Sequence, residues 1–73
     1  MSQTLEQIRV SRQITQKELA ARAGVSHPVV WRAESGRPIR PWAFEALCRA
    51  LCVSSTEIVG VRIYRRLGTL KRK

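Results

Sequence analysis

The stretch ITQKELAARAGVSHPVVWRAESG, residues 14–36, decides the fold. Thr15 lies three residues before Glu18, a spacing typical of a capping box, in which each side chain bonds a backbone amide at the helix start. Leu19 begins a narrow apolar stripe, and Gly24 can take the left-handed conformation that ends a helix. We therefore expect a helix of about eight residues followed by a sharp turn.

A second helix is predicted directly after this turn. Ser26 is a typical N-cap residue, and Pro28 is tolerated in a first turn because its missing amide would have no partner there. Val30 and Ala33 are three residues apart, so they share the face that turns inward. The remaining faces then present the side chains of His27, Val29, Trp31 and Arg32.

Helix signals also flank this pair on both sides. TLEQ, residues 4–7, has capping-box spacing and predicts a first helix over residues 5–13. SGRPIRP, residues 35–41, contains one Gly and two Pro and predicts a loop. Apolar residues at helical spacing after this loop predict a fourth helix over residues 42–52.

The residues after the fourth helix predict a short fifth helix and an arm. SSTE, residues 54–57, is a further capping box, for a helix over residues 55–59 that Gly60 ends. Residues 61–73 alternate in part as a strand would and could also place apolar residues on a helix face. We favour a short strand or irregular arm with a disordered basic end. The chain then divides into a domain over residues 1–60 and a basic C-terminal arm.

The chain is strongly basic. Its 14 Lys and Arg against 5 Asp and Glu give a net charge of +9, which favours a polyanionic partner such as nucleic acid or an anionic membrane. Six of the basic residues and no acidic residue lie within residues 61–73. This arm could follow a nucleic-acid backbone or serve as a solubilising end. A membrane is disfavoured because the arm lacks a continuous apolar face.

Length and composition exclude other classes. A chain of 73 residues fits one small domain, and no apolar run or signal segment indicates insertion into a membrane, so we expect a cytoplasmic protein. Paired carboxylates, a Ser/His/Asp set and a phosphate loop are all missing, so we expect no enzyme. Cys48 and Cys52 are expected to be reduced thiols, and with His27 they are too few for a zinc site. No metal or other cofactor is predicted.

Residues 14–36 resemble the Cro/C1-type (XRE family) helix-turn-helix of phage repressors and small bacterial regulators. The resemblance extends from residue 5 to about residue 60. It implies an all-α, five-helix, lambda-repressor-like domain with a short basic C-terminal arm, in which the helix at residues 27–34 enters the major groove of DNA. The shared pattern is carried by Thr15, Gln16, Leu19, Ala20, Gly24, Val25, Ser26, Val30, Glu34 and Gly36.

The resemblance implies DNA-binding roles in the motif and in the loop that follows it. Gln16 matches a glutamine that bonds a DNA phosphate and supports a neighbour that contacts a base. His27 could reach a purine N7 or a phosphate. Arg32 could contact guanine O6 and N7 together, and Val29 could pack against a thymine methyl. The complete set of predicted DNA-binding residues is Gln16, Ser26, His27, Pro28, Val29, Trp31, Arg32, Arg37 and Arg40.

The loop and the two tryptophans leave alternatives open. Arg37 and Arg40 match positions that grip the phosphate backbone in the family. Trp31 could stack over the sugar-phosphate backbone or pack against Ile39 and the loop. Trp42 stands where some relatives carry an arginine, so contact with the minor groove is an open question.

Three residues match structural positions of the family. Arg9 and Glu34 match a pair that forms a buried salt bridge between the first and third helices, and Gly24 matches the turn. We expect that removing either partner of the pair would leave a desolvated charge.

The resemblance implies a sequence-specific regulator of transcription, foremost a repressor that binds a near-palindromic operator on double-stranded DNA as a homodimer. The recognition helices of such a dimer lie about 34 Å apart, one helical turn of DNA. The dimer surface is expected on the fourth and fifth helices or on residues 61–67. The alternative is an antitoxin or a restriction-modification controller, which binds DNA and also a partner protein such as a toxin.

Overall fold

The structure is a computed structural model that describes residues 2–63. Two short strands and one 3-10 turn accompany four α-helices in this part of the chain. The helices are α1 (Leu5–Ser11), α2 (Gln16–Ala23), α3 (His27–Glu34) and α4 (Pro41–Leu51). The strands are β1 (Gln3–Thr4) and β2 (Ile58–Val59), and the 3-10 turn is Ser55–Glu57.

The four helices enclose one apolar core. α2 packs against both α3 and α4, and α1 packs against α3. Each large aliphatic side chain that is removed from water here contributes about 1.5 to 3 kcal/mol to the free energy of unfolding. The side chains with almost no exposed surface are Leu5, Leu19, Val30, Leu47 and Leu51.

The first two helices begin in the capping boxes that the sequence predicts, and both boxes are confirmed. Thr4 Oγ1 accepts from the amide of Gln7 at 3.1 Å, and Gln7 Oε1 accepts from the amide of Thr4 at 2.9 Å. Thr15 and Glu18 repeat this exchange at 3.0 and 2.8 Å. The starts of α1 and α2 are thus satisfied by residues within a single helical turn.

α3 and α4 begin differently. The prediction of Ser26 as the N-cap residue of α3 is confirmed in position, but its hydroxyl makes no capping hydrogen bond. Pro28 has no amide to offer it, and the next amide, that of Val29, donates to the Ser26 carbonyl at 3.0 Å. Arg40 at the N-cap of α4 also makes no side-chain capping bond, and Pro41 follows it.

Helix ends differ from the predicted bounds where the chain must turn into the core. α1 ends at Ser11 rather than at residue 13, because Gln13 takes a left-handed conformation with φ 59° and Ile14 turns inward to become buried. Gly24 ends α2 with φ 75°, as expected for a left-handed glycine cap. Cys52 occupies the corresponding position after α4 with φ 57°.

The predicted fifth helix over residues 55–59 is wrong. Only Ser55–Glu57 turn helically, and Ile58–Val59 form β2, which pairs in parallel with β1. The Ser54 hydroxyl lies 2.9 Å from that of Thr56 and makes no cap bond, while Ile58 is buried in the core. The described domain therefore has four helices and a two-stranded parallel sheet instead of five helices.

The residues after β2 return to the loop before α4. The amide of Ile39 donates to the carbonyl of Arg62 at 3.0 Å, and Ile39 forms an isolated parallel bridge with Ile63. Val61 packs against the core. The expected strand or arm over residues 61–67 thus begins beside this loop, and its prediction for residues 64–73 lies outside the described residues.

Candidate nucleic-acid interface

α2 and α3 are joined by a short turn that fixes their relative placement. Gly24, in its left-handed conformation, reverses the chain, and the amide of Val25 donates to the carbonyl of Ala20 at 3.0 Å. Ala20 and Val30 are buried between the two helices. Because the inner faces of both helices are small or aliphatic, they pack closely and leave the outer face of α3 to solvent.

The outer face of α3 carries the residues that the sequence predicts for DNA binding. His27, Pro28 and Arg32 are exposed, Val29 is half-buried, and Trp31 keeps 47% of its surface exposed. An exposed indole on a helix of eight residues adds little to the core. These side chains therefore keep accessible surface on the outer face of α3, although Val29 also packs against the core.

One ion pair ties α3 to α1. Arg9 Nε donates to Glu34 Oε2 at 2.6 Å and Arg9 Nη2 donates to Glu34 Oε1 at 3.2 Å, a bidentate arrangement. The side chains are only 12% and 5% exposed. The hydrogen bonds that Arg9 donates to Glu34 raise the pKa of the Arg9 guanidinium, so Arg9 stays charged. Arg9 Nη1 also donates to the carbonyl of Ile14 at 2.9 Å. The expected contact between the two helices is thus present.

Gln16 links this ion pair to His27 at the start of α3. Its Nε2 donates to Glu34 Oε1 at 2.8 Å, and its Oε1 lies 3.1 Å from Nε2 of His27. Since the glutamine oxygen can only accept, His27 presents Nε2–H to it and turns Nδ1 to its other side. The resemblance implied that Gln16 bonds a DNA phosphate and supports a neighbour that contacts a base, and the contact with His27 agrees with the second part. The contact with Glu34 was not predicted, because it depends on the packing of α2 against the far end of α3.

The loop after α3 lies against Trp31. The Arg37 guanidinium carbon is 5.3 Å from the centroid of the Trp31 ring, within cation–π distance. Ile39 is buried in the core instead. Of the two alternatives for Trp31, the loop contact is present and is made by Arg37, while the outer part of the ring stays exposed.

Two adjacent depressions collect most of the predicted DNA-binding residues. A shallow one at the start of α3 is lined by Gln16, His27, Pro28 and Trp31. A groove between α3 and the first turn of α4, named here the arginine groove, is lined by Arg32, Arg37, Arg40, Val29, Trp42 and their neighbours Pro38, Ile39 and Ala43. No acidic side chain of the described residues lines either one. Ser26 is the predicted residue that neither includes.

The described residues offer little support for other kinds of site. Residues 2–63 contain no cluster of three His, Cys, Asp or Glu side chains that could hold a metal ion. Cys48 and Cys52 are both free thiols, and burial raises the pKa of the Cys48 thiol. Among the described helices, each is too short or too polar to cross a membrane.

Two short packed helices, a left-handed glycine between them and one exposed face on the second define a helix-turn-helix module. Residues 1–59 match the sequence model of the family described as Helix-turn-helix domain, and the chain belongs to that family. This membership agrees with the resemblance to the Cro/C1 type and places the protein among DNA-binding regulators. No curated protein and no solved structure matches the chain.

Proposed function

We propose that this protein is a sequence-specific regulator of transcription, acting in the cytoplasm as a repressor that binds a near-palindromic operator as a dimer through α3. One observation carries the proposal. Eight of the nine residues predicted to bind DNA line two adjacent depressions that contain no acidic side chain. A surface of this charge, with an exposed helix face in it, suits the major groove of duplex DNA.

Base reading is assigned to the exposed side chains of α3. Arg32 has the reach and the paired donors to bond guanine O6 and N7 together. Val29, half-buried beside it, offers a methyl surface to thymine. His27 is held through Nε2 by Gln16, so its Nδ1 is the atom left for DNA. In the neutral imidazole Nδ1 accepts from a base amino group, and it donates to a phosphate or a purine N7 only when both ring nitrogens carry hydrogen. Pro28 can only contribute through shape.

Gln16 is assigned a supporting role in addition to the phosphate contact that the family pattern implies. Glu34 engages its amide nitrogen and His27 its oxygen. A second amide hydrogen is left for a phosphate. In this proposal the ion pair between Arg9 and Glu34 fixes Gln16, and Gln16 fixes the orientation of His27 before DNA arrives.

The contacts with the DNA backbone are assigned to the loop before α4 and to the C-terminal arm. Arg37 and Arg40 flank the groove, and the arm starts beside them because Ile39 bonds the carbonyl of Arg62. In this proposal the basic residues of the arm contact the same DNA strand. If three of its basic residues neutralise phosphates, the slope of log affinity against log salt steepens by about 2.7 at about 0.9 per contact. Replacing the Lys and Arg within residues 65–73 by Gln tests this, and an unchanged slope removes the arm from the interface.

The proposal is tested by selecting bound duplexes from a random library at about 0.15 M salt, where binding to phosphates alone is weakened. The expected result is an enriched inverted repeat with half-sites about one helical turn apart. Arg32→Ala should relax one base position in each half-site. Arg49→Ala is the matched control, because Arg49 is also exposed in the last turn of a helix but lies far along α4 from the groove.

A library without enrichment would contradict sequence reading by this chain alone. The same experiment repeated with a co-purified partner protein would then separate a non-specific DNA binder from the antitoxin or controller alternative. Enrichment of a single half-site without its inverted copy would contradict the dimer and leave base reading by α3 intact.

A further inference from the structure

We propose that Trp42 is a DNA-contacting residue. In this inference Trp42 and Val29 are the apolar walls of the arginine groove, and the groove seats one deoxyribose-phosphate strand of the duplex beside the bases that α3 reads. The inference rests on the proposed function and adds a contact to it. Trp42 then binds the sugar of the strand, while the arginines bind its phosphates.

The core does not need the Trp42 side chain. Trp42 is the second residue of α4, and 59% of its surface is exposed, the largest exposed fraction among the large apolar side chains described. The buried face of α4 is supplied by other residues, including Ala43 next to it and Leu47 one turn later. A Trp left in water at the start of a helix, at the edge of a charged groove, is typical of a binding surface.

The groove combines positive charge with apolar surface. Arg32, Arg37 and Arg40 line it, and its lining contains no acidic side chain. Between each pair of phosphates on a DNA strand lies a sugar whose faces are largely apolar. Val29 and Trp42 add apolar surface to the same lining. Cations and apolar surface in one groove complement the phosphates and the sugars of a strand.

Continuity with α3 selects duplex DNA as the occupant. Val29 and Arg32 belong both to the exposed face of α3 and to the wall of the groove. A DNA strand whose bases contact α3 therefore continues directly into the arginine groove. Another copy of this chain is a poor occupant, because each copy has a net charge of +9 and would bring like charge to three arginines.

The two tryptophans of the chain allow a direct test. In the Trp31→Phe variant all tryptophan fluorescence comes from Trp42. Acrylamide quenching of this variant is measured alone, with a random-sequence duplex of about 20 base pairs and with a dT single strand of the same length, at about 0.05 M salt. We expect the quenching constant of Trp42 to fall at least about twofold with the duplex, because a sugar covers the exposed ring.

Affinity for the same duplex provides an independent readout. Trp42→Ala is expected to weaken binding about tenfold, since the apolar contact with the strand is lost. Trp42→Phe should retain most of the affinity and guards against a folding defect in the alanine variant. Val10→Ala is the matched control, because Val10 is another exposed apolar residue, 56% exposed, that lies on α1 and does not line the arginine groove. It should leave binding unchanged.

The outcomes separate the two proposals. Duplex binding with unchanged quenching of Trp42 and unchanged affinity of Trp42→Ala overturns this inference and leaves the proposed function standing. Stronger protection by the single strand than by the duplex also overturns it, because the groove would then be a single-strand site. Failure of the full chain to bind any duplex at low salt overturns both.

Discussion

α2 and α3 have the same length, eight residues each, and they begin in opposite ways. α2 satisfies its first amides within its own turn, through Thr15 and Glu18. α3 has no side-chain cap and carries Pro28 in its first turn. The first helix of the motif is thus stabilised by local sequence, while the second depends on the groups that pack around it. α3 is therefore held by tertiary contacts rather than by a side-chain cap of its own.

The largest effect is expected at the ion pair between Arg9 and Glu34, which ties α3 to α1. Arg9→Ala leaves Glu34 buried without its charge partner, and we expect a loss of about 3 to 5 kcal/mol in the free energy of unfolding, measured by urea denaturation. Arg22→Ala is the control, since Arg22 is exposed in the last turn of α2. Equal stabilities of the two variants would show that α3 is held mainly by its apolar face.

The next effect concerns binding by the exposed side of α3. Arg32→Ala is expected to reduce affinity for the selected operator by about 1 to 3 kcal/mol, because the paired hydrogen bonds to guanine are lost. Titration of labelled operator measures it, with Arg49→Ala in parallel. A uniform loss on operator and random duplex alike would reassign Arg32 to the phosphate backbone.

Substitutions at the two N-cap positions, Thr15 and Ser26, test the comparison between α2 and α3 most directly. Thr15→Ala removes the hydroxyl that accepts from the amide of Glu18, and we expect a loss of about 1 kcal/mol. Ser26→Ala should cost only about 0.3 kcal/mol or less, because the Ser26 hydroxyl makes no capping bond. Thermal unfolding of both variants measures these two losses. Similar losses for the two would mean that α3 is capped after all.

The last two effects, of opposite sign, are expected at the C-terminal ends of α2 and α4. Gly24 and Cys52 both take left-handed conformations after α2 and α4, but only glycine does so without a steric cost. Cys52→Gly should therefore raise the free energy of unfolding by about 0.5 kcal/mol, after the larger entropy loss of glycine is subtracted. Gly24→Ala should lower it by about 1 kcal/mol. We expect urea denaturation to show changes of opposite sign in the free energy of unfolding of these two variants.

Features encoded within one turn of chain could be predicted from the sequence. The capping boxes of α1 and α2 and the turn at Gly24 each depend on residues at most four apart, and all are present in the structure. The contact between Arg9 and Glu34 is nonlocal, and it was predicted through the resemblance to the Cro/C1 type rather than from spacing.

Features that need two distant segments could not be predicted. SSTE suggests a capped helix by itself, but β1 offers Ile58–Val59 a pairing partner, and the chain takes the strand. The contact of Gln16 with Glu34 needs α2 and α3 to be packed first, whereas its support of a neighbour was implied by the resemblance. The missing side-chain cap at Ser26 is a local exception, because Pro28 removes one of the amides that Ser26 could bond. In each case a tertiary contact or a missing donor overrode a local preference.

The pairing of β1 with β2 also has a consequence for the order of folding. Its two strands, Gln3–Thr4 and Ile58–Val59, lie on either side of all four helices in the chain, so they meet only after the helices have brought them together. Closing so long a segment before other contacts exist is entropically unfavourable. The strand pair should then form after the rate-limiting step, and Ile58→Val should speed unfolding while leaving the folding rate nearly unchanged. The last contact made in folding would be the first to open.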